Sequence, residues 1–205
     1  MRMCSRYHID DGTAKEIEIL IRQTEETLHQ NTAAALRQIC STDIHPADKA
    51  PILAAENGGI SCIWLRWGFP MQPGQGKGLV FNARCESAAE KNLFREGIRH
   101  RRIVVPATAF YEWNRQKTKY IFQKESRKTL FMAGCCRHYG DDERFVILTT
   151  AANSSMRPVH DRMPLLLDEA EVKEWILDNE RTDSLLRKIP CPLNRSTDYE
   201  QLSFF

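Results

Sequence analysis

Apolar and polar positions along the chain follow two rhythms. Ile17, Leu20, Ile21 and Leu28 recur at helical spacing behind Thr13-Ala-Lys-Glu16, a capping-box pattern after Asp10-Asp11-Gly12, and predict a helix opening there. A weaker helical patch covers 33–39, and after His45-Pro46 short apolar runs predict strands over 51–54 and 60–67. The loop from Pro70 to Gly78 is rich in glycine and proline and is expected to be exposed. A strand over 79–82 leads to a second capping box, Ser87-Ala-Ala-Glu90, and a helix carrying Leu93, Phe94 and Ile98. That helix is expected to end in Arg99-His-Arg-Arg102, where cations suit the negative end of the helix dipole.

Further strands are predicted over 119–123, 130–136 and 144–150, the last two as a hairpin turning through Tyr139-Gly-Asp-Asp142. Asp168-Glu-Ala-Glu171 starts a helix bearing Val172, Trp175 and Ile176, and a short amphipathic helix surrounds Leu185-Leu186. Many short strands with separate helices imply an α+β fold: a curled, barrel-like, mostly antiparallel sheet with helices packed outside it. One domain over residues 1–205 is expected from the length. No parallel βαβ rhythm is visible, and Gly74, Gly76 and Gly78 do not open a helix as a phosphate-binding loop would.

The run from Ile103 to Trp113 is apolar and β-branched, is expected to break at Pro106, and resumes in aromatics. It holds one carboxylate, Glu112, between Tyr111 and Trp113. Buried among aromatics, that carboxylate costs several kcal/mol unless partnered, so its pKa rises or a donor meets it, as in proton-transfer catalysis. Simple strand alternation allows the other reading, a glutamate facing solvent at a strand edge.

Composition narrows the classes of function. Hydrophobic content of 42% with 27% charged residues is ordinary for a globular chain. No stretch approaches the roughly 20 apolar residues of a membrane span, and the N-terminus lacks the apolar core of a signal peptide. Seven cysteines without metal-like spacing fit reduced thiols in a cytoplasmic setting, and adjacent Cys135-Cys136 sit in an apolar run as small core residues do. Net charge is only +2, so any nucleic-acid binding must come from a local patch.

Single candidates for chemistry have two readings each. Cys4 is either a nucleophile or a small buried hydrophobe. His160, in Val159-His-Asp-Arg-Met-Pro164, is either an acid–base group near neutral pH or a loop histidine bonded to Asp161. Asn82 either orients a substrate or caps the turn before Ser87. Arg84 and Arg162 either clamp phosphates or make surface ion pairs.

Taken together and in order, Cys4-Ser-Arg-Tyr7, Trp67-Gly-Phe-Pro70, Asn82-Ala-Arg-Cys-Glu-Ser-Ala-Ala-Glu-Lys91, Val105-Pro-Ala-Thr-Ala-Phe-Tyr-Glu-Trp113 and His160-Asp-Arg-Met-Pro164 resemble the SRAP family (SOS response-associated peptidase). The resemblance spans essentially the whole chain, out to Pro192-Leu-Asn194. It implies an abasic-site sensor of the DNA-damage response. Such a protein binds single-stranded DNA and captures the ring-opened aldehyde of an abasic site with an N-terminal cysteine. The α-amine forms an imine, and the thiol then closes on the same carbon to give a thiazolidine.

By this match Cys4 is the nucleophile, Glu112 shuttles protons, His160 protonates the sugar oxygen on ring opening, and Asn82 holds the abasic sugar. Arg84 and Arg162, with Arg6 and Trp67 from the matching motifs, are the expected DNA contacts. The same Cys and Glu are implied in self-cleavage of a short leader ahead of the cysteine. No cofactor, metal or membrane is implied, and a monomer is expected.

The chain departs from the family pattern in places. Members usually begin Met-Cys-Gly-Arg; here Met1-Arg2 precede Met3-Cys4, and Ser5 replaces the glycine. Arg2 would block aminopeptidase trimming. Hence translation begins at Met3, or residues 1–3 are a self-cleaved leader, or Cys4 is never N-terminal. Some bacterial relatives carry tryptophans after the Trp67-Gly-Phe-Pro70 motif that wedge against bases; this chain has Met71, Gln72 and Gly74. The family's Asn-x-x-Pro becomes Asp43-Ile-His-Pro46. Two rivals stand beside the sensor: a thiol peptidase or hydrolase using Cys4, His160 and Glu112, and a non-covalent single-stranded-DNA-binding module.

Overall fold

The computed structural model describes residues 4–24, 30–71 and 78–197. Residues 1–3, Leu28 of the first helical stripe, and Gln72, Gly74 and Gly76 of the glycine-rich loop lie outside the described residues. In chain order the elements are β1 (Tyr7–Ile9), α1 (Asp11–Thr24), α2 (Gln30–Arg37), β2 (Thr42–Ile44), β3 (Lys49–Glu56), β4 (Gly59–Trp67), β5 (Phe69–Pro70), β6 (Leu79–Val80), β7 (Asn82–Arg84), α3 (Cys85–Ala88) and α4 (Arg95–His100). They continue as β8 (Arg102–Ala107), β9 (Ala109–Trp113), β10 (Lys119–Gln123), β11 (Leu130–Tyr139), β12 (Asp142–Ala151), β13 (Arg162–Pro164), β14 (Leu166–Leu167), α5 (Glu169–Leu177), α6 (Thr182–Leu186) and β15 (Asn194–Thr197).

A closed ring lies at the centre: β12, β4, β3, β8 and β11 pair in turn, and β11 returns to β12. The β3–β4 hairpin turns through Asn57 (φ 51°) and Gly58 (φ 84°), a dipeptide suited to two successive left-handed residues. The β11–β12 hairpin turns between Tyr139 and Asp142, as predicted. Closure comes from a parallel contact, Arg144 against Arg66 and Phe145 against Trp67. With β7 on β12 it makes two parallel pairings among the described residues, where the other pairings are antiparallel. Fully buried Ile52, Leu53, Val104, Met132, Phe145 and Ile147 belong to the core. Gly134 on β11 is where backbones come closest: a Cβ there would lie 2.6 Å from Val146 O and 2.8 Å from Ile103 Cδ1.

A second sheet is ordered β15-β10-β9-β1-β2, and the shortest passage between it and the ring runs from β8 to β9. The strand expected to break at Pro106 instead continues to Ala107 and breaks at Thr108, where it leaves the ring and enters the second sheet as β9. Among the described residues β3 pairs with β8 only at Ile103 and Val104. Past Val104 that edge has no ladder partner, a position where proline is tolerated. Thr108 secures the crossover, its N–H donating to His8 O at 2.8 Å and its hydroxyl meeting that of Thr13 at 3.1 Å.

Two helix starts differ from expectation. Asp10, not Thr13, caps α1: its Oδ1 accepts the Thr13 N–H at 3.1 Å. Glu16, the expected far half of that box, instead accepts the Thr129 N–H at 3.0 Å, so tertiary contact outcompetes the local box. The helix expected after Ser87 is two short ones, because β7 runs straight into α3 at Cys85, and turns over 89–94 separate it from α4. The third helix start falls at Asp168 as expected, and a capping box secures it, with the Asp168 N–H donating to Glu171 at 2.7 Å. The basic run closes α4 as expected: buried Arg102 donates to Ile98 O and Arg99 O, each at 2.9 Å, and to Trp175 O at 2.5 Å.

Candidate active site

Strand register brings Cys4 to Glu112. In the antiparallel β1–β9 pair Tyr7 faces Phe110, and the Tyr111 N–H donates to Arg6 O at 3.0 Å. Extending that register backward from β1 sets Cys4 beside the end of β9. There the Cys4 backbone N–H donates to Glu112 Oε1. Cys4 is fully buried and holds φ at 42°, a left-handed conformation that costs a non-glycine residue about 1–3 kcal/mol. Asn82, first residue of β7, is placed by pairing with Ile147, and its amide donates to Cys4 O at 3.4 Å.

Glu112 is 2% exposed, so the solvent-facing reading is set aside. Burial drives its pKa up to about 7, even though hydrogen bonds from the Cys4 and Trp113 N–H groups favour the charged form. The Cys4 thiol is pushed well above its ordinary value, first by burial and then by the Glu112 charge. This pair is a protonated thiol beside a carboxyl poised to give or take a proton near neutrality.

Asn82 also lines a groove of about 970 Å³ together with Arg84, Asn114, Arg115, Thr149, Arg157, His160 and Arg162. His160 Nδ1 accepts the Arg162 N–H at 3.0 Å and lies 2.9 Å from Asp161 Oδ1. Burial lowers its pKa, opposed by the nearby Asp161 charge. A neutral ring accepting at Nδ1 carries its proton on Nε2. Arg162 forks onto Glu86 at 2.5 and 2.9 Å and also donates to Thr149 O at 2.5 Å, so its charge is already matched. Arg84 is exposed and has no ion pair among the described residues.

The other two expected DNA contacts lie elsewhere. Arg6 binds Asp43 through Nε at 2.9 Å and through Nη2, and lies over the Tyr111 ring at 4.9 Å. Asp43 also accepts the Tyr111 hydroxyl at 3.0 Å and meets His8 Nδ1 at 2.8 Å. Burial alone would raise its pKa, but the hydrogen bonds from Arg6, His8 and Tyr111 outweigh that and hold it low. Trp67 is a correction. Its side chain is completely buried, its Nε1 donates to Phe81 O at 2.8 Å, and its rings pack on Tyr7, Phe81 and Phe145. It supports the segment leading into Asn82 from within the core and cannot contact DNA.

The structure thus joins Cys4, Glu112 and Asn82 directly and gathers Asn82, Arg84, His160 and Arg162 around one groove. Sequence reasoning missed Asp43 as the partner of Arg6, and missed Thr149, Arg115 and Arg157 in the groove. Only the acidic replacement in Asp43-Ile-His-Pro46 hinted at the first.

A barrel with this thiol–carboxyl pair beside a basic groove has a known class. Residues 3–203 match the family described as SOS response associated peptidase (SRAP), and the chain belongs to that family. Abasic site processing protein YoaM of Bacillus subtilis is 33% identical over 140 residues, 62% of this chain and 62% of YoaM's own length. Abasic site processing protein YedK of Escherichia coli is 28% identical over 182 residues, covering 85% of this chain and 79% of YedK. A protein of solved structure from Bacteroides thetaiotaomicron has the same fold, with a TM-score of 0.72 at 21% identity over 95% of this chain and 91% of that one. No helix among the described residues is long and apolar enough to cross a membrane.

Proposed function

We propose that this protein senses abasic sites in single-stranded DNA and crosslinks to them through Cys4, once residues 1–3 are absent or removed. One observation carries the reading: a buried carboxyl with a pKa near 7 bonded to the backbone nitrogen of a cysteine. When that nitrogen is a free α-amine, Glu112 takes its proton and leaves a neutral nucleophile. The amine adds to the aldehyde carbon of the opened sugar, and Glu112 returns the proton to the departing hydroxyl, so imine and water form. The thiol adds to the same carbon and its proton passes to the imine nitrogen, closing a five-membered thiazolidine. The net change is loss of one water.

As the sugar opens, His160 passes the proton of the anomeric hydroxyl to the ring oxygen and ends neutral as it began. Asn82 positions the sugar, Arg84 meets a flanking phosphate, and Arg162 does so by exchanging its Glu86 partner for the phosphate. Leader removal uses the same pair. The Cys4 thiol adds to the carbonyl of residue 3, Glu112 protonates the departing Cys4 nitrogen to which it is already bonded, and water hydrolyses the thioester. Strain at Cys4 favours that displacement. A general thiol hydrolase is the weaker reading: burial and the Glu112 charge keep the thiol protonated, which suits addition to a carbon already held beside it and not attack on a freely diffusing amide. The names of the relatives support abasic-site DNA as the substrate.

Intact mass before and after incubation with an abasic single-stranded oligonucleotide tests the proposal. A protein beginning at Cys4 and an adduct lighter than the sum by one water are expected. A protein beginning at Cys4 that forms no adduct refutes it. Salt-sensitive DNA binding without any adduct would leave a non-covalent module.

A further inference from the structure

Beyond the reacting nucleotide, the groove carries charge that the chemistry does not use. Arg115 and Arg157 both line it, both are exposed, and neither has a carboxylate partner among the described residues. They come from separate segments, each held by an asparagine. In the β9–β10 turn the Asn114 N–H donates to Thr118 O at 3.1 Å, while Asn114 Oδ1 accepts the Thr118 N–H at 2.9 Å. Lys117 closes the turn, its N–H donating to Asn114 O at 3.0 Å with φ at 64°.

Between β12 and β13, Asn153 Oδ1 accepts from the Ser155 N–H at 3.0 Å and the Ser155 hydroxyl at 2.6 Å. Its Nδ2 donates to Pro190 O at 2.9 Å and Cys191 O at 3.1 Å, pinning the segment to the rest of the protein. The Arg157 N–H donates to Asn153 O at 2.9 Å, and its Nη2 reaches Ala152 O at 3.4 Å. Such pinning limits the entropy lost when a ligand is gripped. Arg162 and Arg6 are already matched by Glu86 and Asp43, whereas these two guanidinium groups keep donors for an incoming anion. Asp161 is the only carboxylate lining the groove among the described residues, and it is 88% exposed, so it screens them weakly.

We propose that Arg115 and Arg157 form a second phosphate subsite, which grips phosphodiesters of single-stranded nucleic acid outside the reacting nucleotide. The inference rests on the reading of the groove as a DNA site. Neutralising one phosphate releases counterions, and for single strands log K changes by about 0.7 per decade of salt for each contact.

The experiment is fluorescence anisotropy with a labelled single-stranded oligonucleotide across a salt series, in a Cys4→Ala background so that binding stays reversible. Arg115→Gln and Arg157→Gln should each lower the salt slope by about 0.7, and the double variant by about 1.4. Arg187→Gln, at an exposed residue that ends α6 and does not line the groove, should leave the slope unchanged. Both arginines are surface residues, so unchanged melting curves are expected alongside. An unaltered slope in the double variant overturns the subsite while leaving the proposed function standing. An equal drop in Arg187→Gln also overturns it, since any lost charge would then suffice. A background protein that does not bind single-stranded DNA overturns the subsite and the proposed function together.

Discussion

Glu112→Gln separates proton chemistry from shape. Glutamine preserves the side-chain length and an acceptor for the Cys4 N–H, and removes the titration. In the native protein the carboxyl rises from an ordinary 4.5 to about 7, chiefly through burial. A raised carboxyl pKa means that the folded state holds the proton more tightly than the unfolded chain. The associated stability is therefore fully present below about 4.5 and is lost as pH rises through about 7. At about 1.4 kcal/mol per pH unit, the rise corresponds to about 3 kcal/mol.

Urea denaturation of both proteins between pH 4 and 8 isolates this contribution, because every other titrating group is shared. The native protein should lose about 3 kcal/mol relative to Glu112→Gln across that range. In parallel, the crosslinking rate of the native protein should show a limb near pH 7 that the variant lacks, and the variant should be slower by roughly 10²–10⁴. Stability curves that stay parallel from pH 4 to 8 would refute the buried-carboxyl argument. Equal crosslinking rates would refute the acid–base role.

Three further outcomes follow from the geometry. Gly134→Ala places a Cβ against the Val146 carbonyl, which cannot swing aside as a side chain would, and should cost about 1–3 kcal/mol in urea unfolding. Trp67→Phe keeps an aromatic ring but deletes the bond to Phe81 O; it should destabilise by about 1–3 kcal/mol and leave single-stranded DNA affinity unchanged, whereas a base-stacking tryptophan would lose affinity. Asp43→Asn frees the Arg6 charge, so DNA affinity at low salt should rise in anisotropy titrations while stability falls by about 1 kcal/mol, the pair being partly exposed.

Short-range features were legible from the chain alone. Strand β10 coincides with its predicted span, the hairpin turns where Tyr139-Gly-Asp-Asp142 says, and Asp168 caps α5, because each depends on hydrogen bonds among residues a few positions apart. The curled α+β architecture also followed from many short strands interleaved with amphipathic helices. Even locally, competition from distant groups decided some outcomes: Glu16 serves Thr129 rather than its own helix start, and Pro106 stays in its strand because one edge there has no partner.

What the tertiary structure alone decided is which distant groups meet. Glu112 and Cys4 are 108 residues apart, and only the β1–β9 register makes them neighbours. The parallel seam between β4 and β12 closes the ring and buries Trp67, which the sequence motif alone placed at the DNA. Whether an arginine is free or matched likewise depends on carboxylates remote in sequence, Glu86 for Arg162 and Asp43 for Arg6. Periodicity and capping report the backbone's own hydrogen bonds, whereas charge pairing and burial depend on which sheet edges come together, and no single stretch of chain encodes that.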